Sequence, residues 1–149
     1  MSHVASVEIE IKDFEALKAA CKTLGLEFRK GQKTFKWYGQ WVGDYSGNDA
    51  AYKNGIDPKD YGKCEHAIGI PGNTQAYEIG VIQKDGKYSL IYDFWQGGYG
   101  IEKVAGKGCK NLINQYAKEV AISKVKKLGY TITEKTNADG EIEIEATKW

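Results

Sequence analysis

The sequence predicts an α+β fold, a mostly antiparallel sheet with two helices packed on one face. Three observations lead to it. Val7, Ile9 and Ile11 alternate with Glu8, Glu10 and Lys12, the period of a half-buried strand. Two stretches, 14–24 and 110–128, carry apolar residues at helical spacing. Two apolar runs, 77–82 and 88–95, flank Lys84-Asp85-Gly86-Lys87, and Asp-Gly between strands is a strong hairpin signal.

The elements follow in order. After the first strand, Asp13 has the side chain of an N-cap, able to accept a free backbone N–H. Phe14, Leu17, Cys21 and Leu24 form the apolar stripe of the first helix, and Gly25 suits the left-handed position beyond its end. Cys21 therefore reads as a small core residue rather than a reactive thiol. Leu26 and Phe28 open a second strand, and 35–38 reads as a third with Phe35 and Trp37 on one face. Residues 67–70 form a short strand stopped by Pro71-Gly72. In the hairpin's second arm, Tyr88, Leu90, Tyr92 and Phe94 share one face and Ser89, Ile91, Asp93 and Trp95 the other. Both faces are partly apolar, so this strand belongs inside the sheet.

A glycine-rich connection, 96–108, leads to the long helix, whose lysines favour its C-terminal half and so complement the helix dipole. A last hairpin, 130–133 with 142–146, closes the chain. Lys22-Thr23-Leu24-Gly25-Leu26 echoes Lys126-Lys127-Leu128-Gly129-Tyr130, each a helix end, a glycine cap and a strand start. The whole reads as two β-α-β-type units around extra central strands, and a ferredoxin-like arrangement with insertions fits that pattern.

The 149 residues fit one domain. Within it, 39–63 is a long Gly/Asp/Tyr-rich loop or insertion. A structureless stretch of that length is unusual in a compact domain. It is expected to be dispensable for folding and to serve binding instead. The net charge of +1 gives no global pull toward nucleic acid or anionic membrane. No apolar run is long enough for a membrane span, and no secretory signal opens the chain. Three widely spaced cysteines, Cys21, Cys64 and Cys109, argue against a disulfide framework and a paired-cysteine zinc site. Cytoplasmic residence with reduced thiols follows as an expectation.

Several segments resemble a known family: Met1-Ser2-His3, Asp93-Phe94-Trp95-Gln96, Asn114-Gln115-Tyr116, Asp139-Gly140-Glu141-Ile142 and Lys148-Trp149. Together they look like the uncharacterised reading frames of plastid and cyanobacterial genomes, with bacterial and phage relatives. The chain departs from that pattern between Gly39 and Lys63, where it is longer. The resemblance implies a small stand-alone α+β domain, cytoplasmic or stromal, with no known cofactor. Some bacterial relatives stand beside genes for AAA-type ATPases, which implies an accessory role.

Candidate chemistry lies in three places. Arg29, Lys30, Lys33 and Lys36 interleave with Phe28, Phe35, Trp37, Tyr38 and Trp41. Basic groups at phosphates and aromatics under bases are how nucleotides and single strands are gripped; a lysine-protected edge hairpin accounts for the same residues. Lys107 and Lys110 flank glycines before the long helix, where free backbone N–H groups attract anions. The P-loop spacing is not met, and a flexible connection explains these glycines equally. Cys64 and His66 are two apart and would share a face if extended. With Asp57 or Asp60 they could form a metal site or a catalytic pair, but incidental identity is the plainer reading. The expected function is therefore a non-enzymatic binding domain for an anionic aromatic ligand, a nucleotide or short nucleic acid, at Arg29, Lys33, Lys36, Trp37, Tyr38, Trp41, Lys107 and Lys110. The alternative is a protein-interaction or accessory module with exposed aromatics as anchors. No metal or cofactor is expected.

Overall fold

The computed structural model describes residues 4–8, 13–38, 51, 56–84, 87–136 and 142–148. Strand β1 (Val4–Glu8) leads to helix α1 (Phe14–Leu24) and the short β2 (Glu27–Arg29). A short 3₁₀ turn (Pro58–Asp60) precedes β3 (His66–Gly69), β4 (Ile79–Lys84) and β5 (Lys87–Asp93). Two helices follow, the short α2 (Ile101–Ala105) and the long α3 (Lys110–Lys127). The hairpin β6 (Tyr130–Thr136) and β7 (Ile142–Lys148) comes last.

The main sheet has the order β1-β5-β4-β3-β2, antiparallel at every step. β1 and β2 therefore run in the same direction at opposite edges, and α1 spans the strands between them. That is the first β-α-β unit, split by three inserted strands. The second unit ends differently from the expectation. Its strand β6 pairs with β7 in a separate two-stranded sheet packed on α3. Among the described residues it is not the ferredoxin-like arrangement in which both units share one sheet.

Helix α1 begins and ends where its sequence dictates. Asp13 Oδ1 accepts the Ala16 N–H at 3.0 Å, and Gly25 takes φ 78° to turn the chain out. The Asp13 N–H donates to the Tyr116 hydroxyl, tying the start of α1 to α3. Leu17, Ala20 and Cys21 of α1 and Leu112 and Tyr116 of α3 pack on Ile68, Ile79, Val81, Leu90 and Tyr92. Each large aliphatic side chain buried there contributes about 1.5–3 kcal/mol.

The opposite face of the sheet is covered too, by residues of the segment between β2 and β3. Phe35, Trp37, Ala51, Tyr61 and Cys64 lie on Val4, Ala67 and Ile91 as a second core. Gly80 makes the approach possible, because a Cβ there would sit 2.6 Å from the Phe35 ring. One expectation is corrected. Residues 35–38 do not form a strand: after the single bridge Thr34–Lys63 the segment crosses the sheet, bonding Gly62, Glu78 and Asp93 in turn. In the described part of 39–63, Ala51 and Tyr61 are fully buried, which argues against the expectation that this segment is dispensable for folding.

Candidate functional site

The segment expected to grip a phosphate is held by the chain's own carboxylates. Arg29 pairs with Glu78 through Nη1 and with Glu27 through Nε, and its Nη2 donates to the Ile70 carbonyl. Glu78 is largely buried. It also accepts from Gln32 Nε2 at 3.0 Å and from the Lys36 backbone N–H at 2.8 Å. Lys33 pairs with Glu65 at 3.1 Å, and Lys36 Nζ donates to the Thr74 carbonyl. Trp37 is buried edge-on against Tyr61, ring centroids 5.8 Å apart, rather than presented for stacking. Trp41 lies outside the described residues. Lys107 and Lys110 are exposed, and their turn packs on α2 and α3.

The structure gathers instead an aromatic ridge. Tyr38 sits 46% exposed, its ring steeply inclined to Trp95 at 5.2 Å. Trp95 meets Tyr99 at 6.2 Å, and Tyr99 meets the buried Tyr77 at 5.1 Å. Beneath them lies the fully buried Asp93, whose carboxylate accepts the Tyr38 N–H at 3.2 Å and the Trp95 N–H at 3.0 Å. Of these, Tyr77, Asp93, Trp95 and Tyr99 were absent from the expected site. Aromatics beside a glycine run in 94–100 were the available signal.

The turn carrying Trp95 and Tyr99 has unusual backbone. Gln96, Gly97, Gly98 and Tyr99 are all left-handed, with φ of 53°, 65°, 60° and 54°. Glycine takes this conformation freely, but Gln96 and Tyr99 cost about 1–2 kcal/mol each. The surroundings enforce it: the Gly97 N–H donates to Phe94 O, and Gly98 O accepts the Tyr77 N–H. Such strain persists only where neighbouring structure over-determines it.

The Cys64–His66 pair is not brought together. The chain bends at Glu65, whose N–H bonds Val81 O ahead of the ladder pair His66–Val81. Cys64 consequently enters the second core, while His66 packs between Phe14 and Phe28 on the α1 side. His66 Nδ1 accepts the Gly31 N–H, and burial holds its pKa below the ordinary value. Among the described residues no three potential ligands gather to hold a metal. A cleft of about 310 Å³ is floored by Ile56, Ile82 and Ile91 and rimmed by Asp57, Asp60 and Glu65.

Burial makes the thiols inert. Those of Cys21 and Cys64 are pushed up to about 12, and that of Cys109 is also raised. The Tyr77 and Tyr92 phenols rise to about 12 for the same reason. The folded chain thus keeps protons that the unfolded chain releases near 9 for thiols and 10 for phenols. That stabilisation is complete below about pH 9 and disappears as the pH rises toward 12. The urea midpoint should stay level from about pH 7 to 8.5 and fall above 9. An unchanged midpoint at about pH 10.5 would contradict it.

Residues 52–144 match the profile of a family described as a protein of unknown function, DUF1257. The chain belongs to this family. Its relative in Cyanophora paradoxa, "Uncharacterized protein ycf35", is 24% identical over 154 residues, spanning 100% of this chain and 98% of that protein. The resemblance to plastid reading frames is thereby established. No solved structure matches. The DUF1257 match contains Tyr77, Asp93, Trp95 and Tyr99 and begins beyond Tyr38. Among the described residues no helix is long and apolar enough to cross a membrane.

Proposed function

We propose that this chain is a non-enzymatic interaction module that engages a protein partner through the ridge of Tyr38, Trp95 and Tyr99. One observation carries the reading. Tyr38 and Tyr99, at 46% and 47%, are two of three exposed large apolar side chains among the described residues, and both adjoin Trp95. Tyrosine and tryptophan dominate binding hot spots because they offer large area at low entropic cost. The buttressed turn fixes two of these rings in advance, which reduces the ordering cost of association. A cytoplasmic setting with reduced thiols belongs to this proposal. The anionic-ligand reading is weaker, because Arg29 and Lys33 would have to leave carboxylate partners to reach a phosphate.

Photo-cross-linking tests it. Benzoyl-phenylalanine at Tyr38 or Tyr99 should give discrete protein adducts in cells. The same group at the exposed Lys22 of α1 should not, and Trp95→Ala should abolish the adducts. Equal adducts at all three positions, or none, would reject the ridge. Saturable heat from nucleotides or short oligonucleotides would favour the anionic ligand instead.

A further inference from the structure

We propose that His66 is an acid-sensitive latch on the turn at Lys30 and Gly31, holding it while Nδ1 carries no proton and releasing it when Nδ1 is protonated. The latch does not involve the aromatic ridge, so either reading stands without the other.

A single hydrogen bond makes the latch. β2 ends at Arg29, and the chain turns at Gly31, whose φ of 77° is left-handed. The Gly31 N–H donates to His66 Nδ1 at 2.9 Å, across 35 residues of sequence. A ring nitrogen accepts only while it is unprotonated, so this bond requires the neutral imidazole with its proton on Nε2. Nε2 has no protein partner among the described residues and is free to carry that proton. Adding a second proton, at Nδ1, turns the acceptor into a donor. Two N–H groups then face each other, and the bond is lost.

The ring is held where this matters. The backbone of His66 is fixed by its pairing with Val81 in the ladder. Its ring lies 5.2 Å from that of Phe14 and 5.3 Å from that of Phe28. Packing between two rings limits its escape to another partner.

The surrounding charges set the direction of the response. Burial disfavours the imidazolium most, and Lys33 beyond the turn, Lys30 within it and Lys18 of α1 oppose it further, while Glu65 next to His66 favours it. The balance holds the ring below its ordinary 6.5. A group held low in the folded chain stabilises it fully above the ordinary value, and this is lost as the pH falls through the folded one. The latch is therefore closed at neutral pH and opens with acid.

Release is confined to the turn because both of its flanks are anchored elsewhere. Arg29 is held by Glu27 and Glu78. The Gln32 amide donates to the Thr34 carbonyl and to Glu78, and the Gln32 carbonyl accepts from the Cys64 thiol. Between these anchors the exposed Gly31 is fixed by His66. The sheet stays folded while the turn opens.

Nitrogen-15 NMR of the full chain tests the latch. At about pH 7.5, His66 should show an unprotonated Nδ1 and a protonated Nε2. Exchange protection of the Gly31 amide, corrected for the intrinsic pH dependence of exchange, should fall about threefold or more as His66 titrates. In His66→Phe, an aromatic ring without an acceptor, that protection should be low at neutral and acid pH alike. A proton on Nδ1 at about pH 7.5 overturns the proposal. So does Gly31 protection that stays level through the His66 titration, or that persists at neutral pH in His66→Phe. The two wild-type measurements decide the matter even if the variant does not fold.

Discussion

Replacing Tyr61 with alanine should lower the unfolding free energy by about 3–5 kcal/mol, the cost of truncating a buried aromatic side chain. Tyr61 is fully buried, and its ring meets Trp37 at a right angle. Ala51, Cys64, Ala67 and Ile91 belong to the same cluster. The sheet below is fixed by its ladders, so it cannot collapse into the space the ring leaves. Urea unfolding followed by circular dichroism measures the change, and an unaltered slope would show that the loss lies in the folded state. Excising 39–63 for a Gly-Ser linker should abolish the cooperative melt altogether. A loss below about 1 kcal/mol for Tyr61→Ala would mean that the layer around Tyr61 is an ornament on the sheet rather than half of its core.

Removing the Glu78 carboxylate should be nearly as damaging. In Glu78→Ala, Arg29 loses its principal partner, and the Gln32 amide and the Lys36 N–H lose their acceptors. Breaking a buried pair from one side costs about 3–5 kcal/mol, because the remaining charge stays desolvated. The Arg29 side chain is 27% exposed, so water recovers part of this and the expected loss is about 2–3 kcal/mol. Arg29→Met in the same background should restore stability relative to Glu78→Ala alone, since it removes the stranded charge. A double-mutant cycle with no coupling between the two positions would show that the geometry misrepresents the pair.

Both effects lie in the region the sequence described least well, and the reasons are physical. Helix α1 was legible to its ends, because Asp13 and Gly25 are local signals that act on their own neighbours. The hairpin β4–β5 was legible for the same reason, and the two-faced pattern of β5 placed it inside the sheet. In 35–38 the alternation was read correctly, for Phe35 and Trp37 do share a buried face. What they face, the sheet beneath Tyr61, is a distant partner that no local pattern names. The same blindness bears on the candidate site. Arg29 and Lys33 look like free cations until Glu78 and Glu65 are folded onto them. The ridge was hidden because its parts come from residues 38, 77 and 95–99, joined by the left-handed turn. Glycines hinted at unusual backbone there, but nothing in the sequence dictates that Gln96 and Tyr99 follow them into it.

The strand order also imposes a timetable on synthesis. β1 pairs Val4 with Asp93, so the first strand made has no partner until about ninety more residues have left the ribosome. At about 5–20 residues per second, that is a wait on the order of ten seconds. Helix α1 can form meanwhile from its own caps, but β1 must remain an unpaired, half-apolar ribbon. Unpaired ribbons invite pairing with other chains, and charges on alternate residues discourage it. Glu8, the last residue of β1, is such a charge. That charge discourages the nascent strand from pairing with its neighbours until β5 arrives.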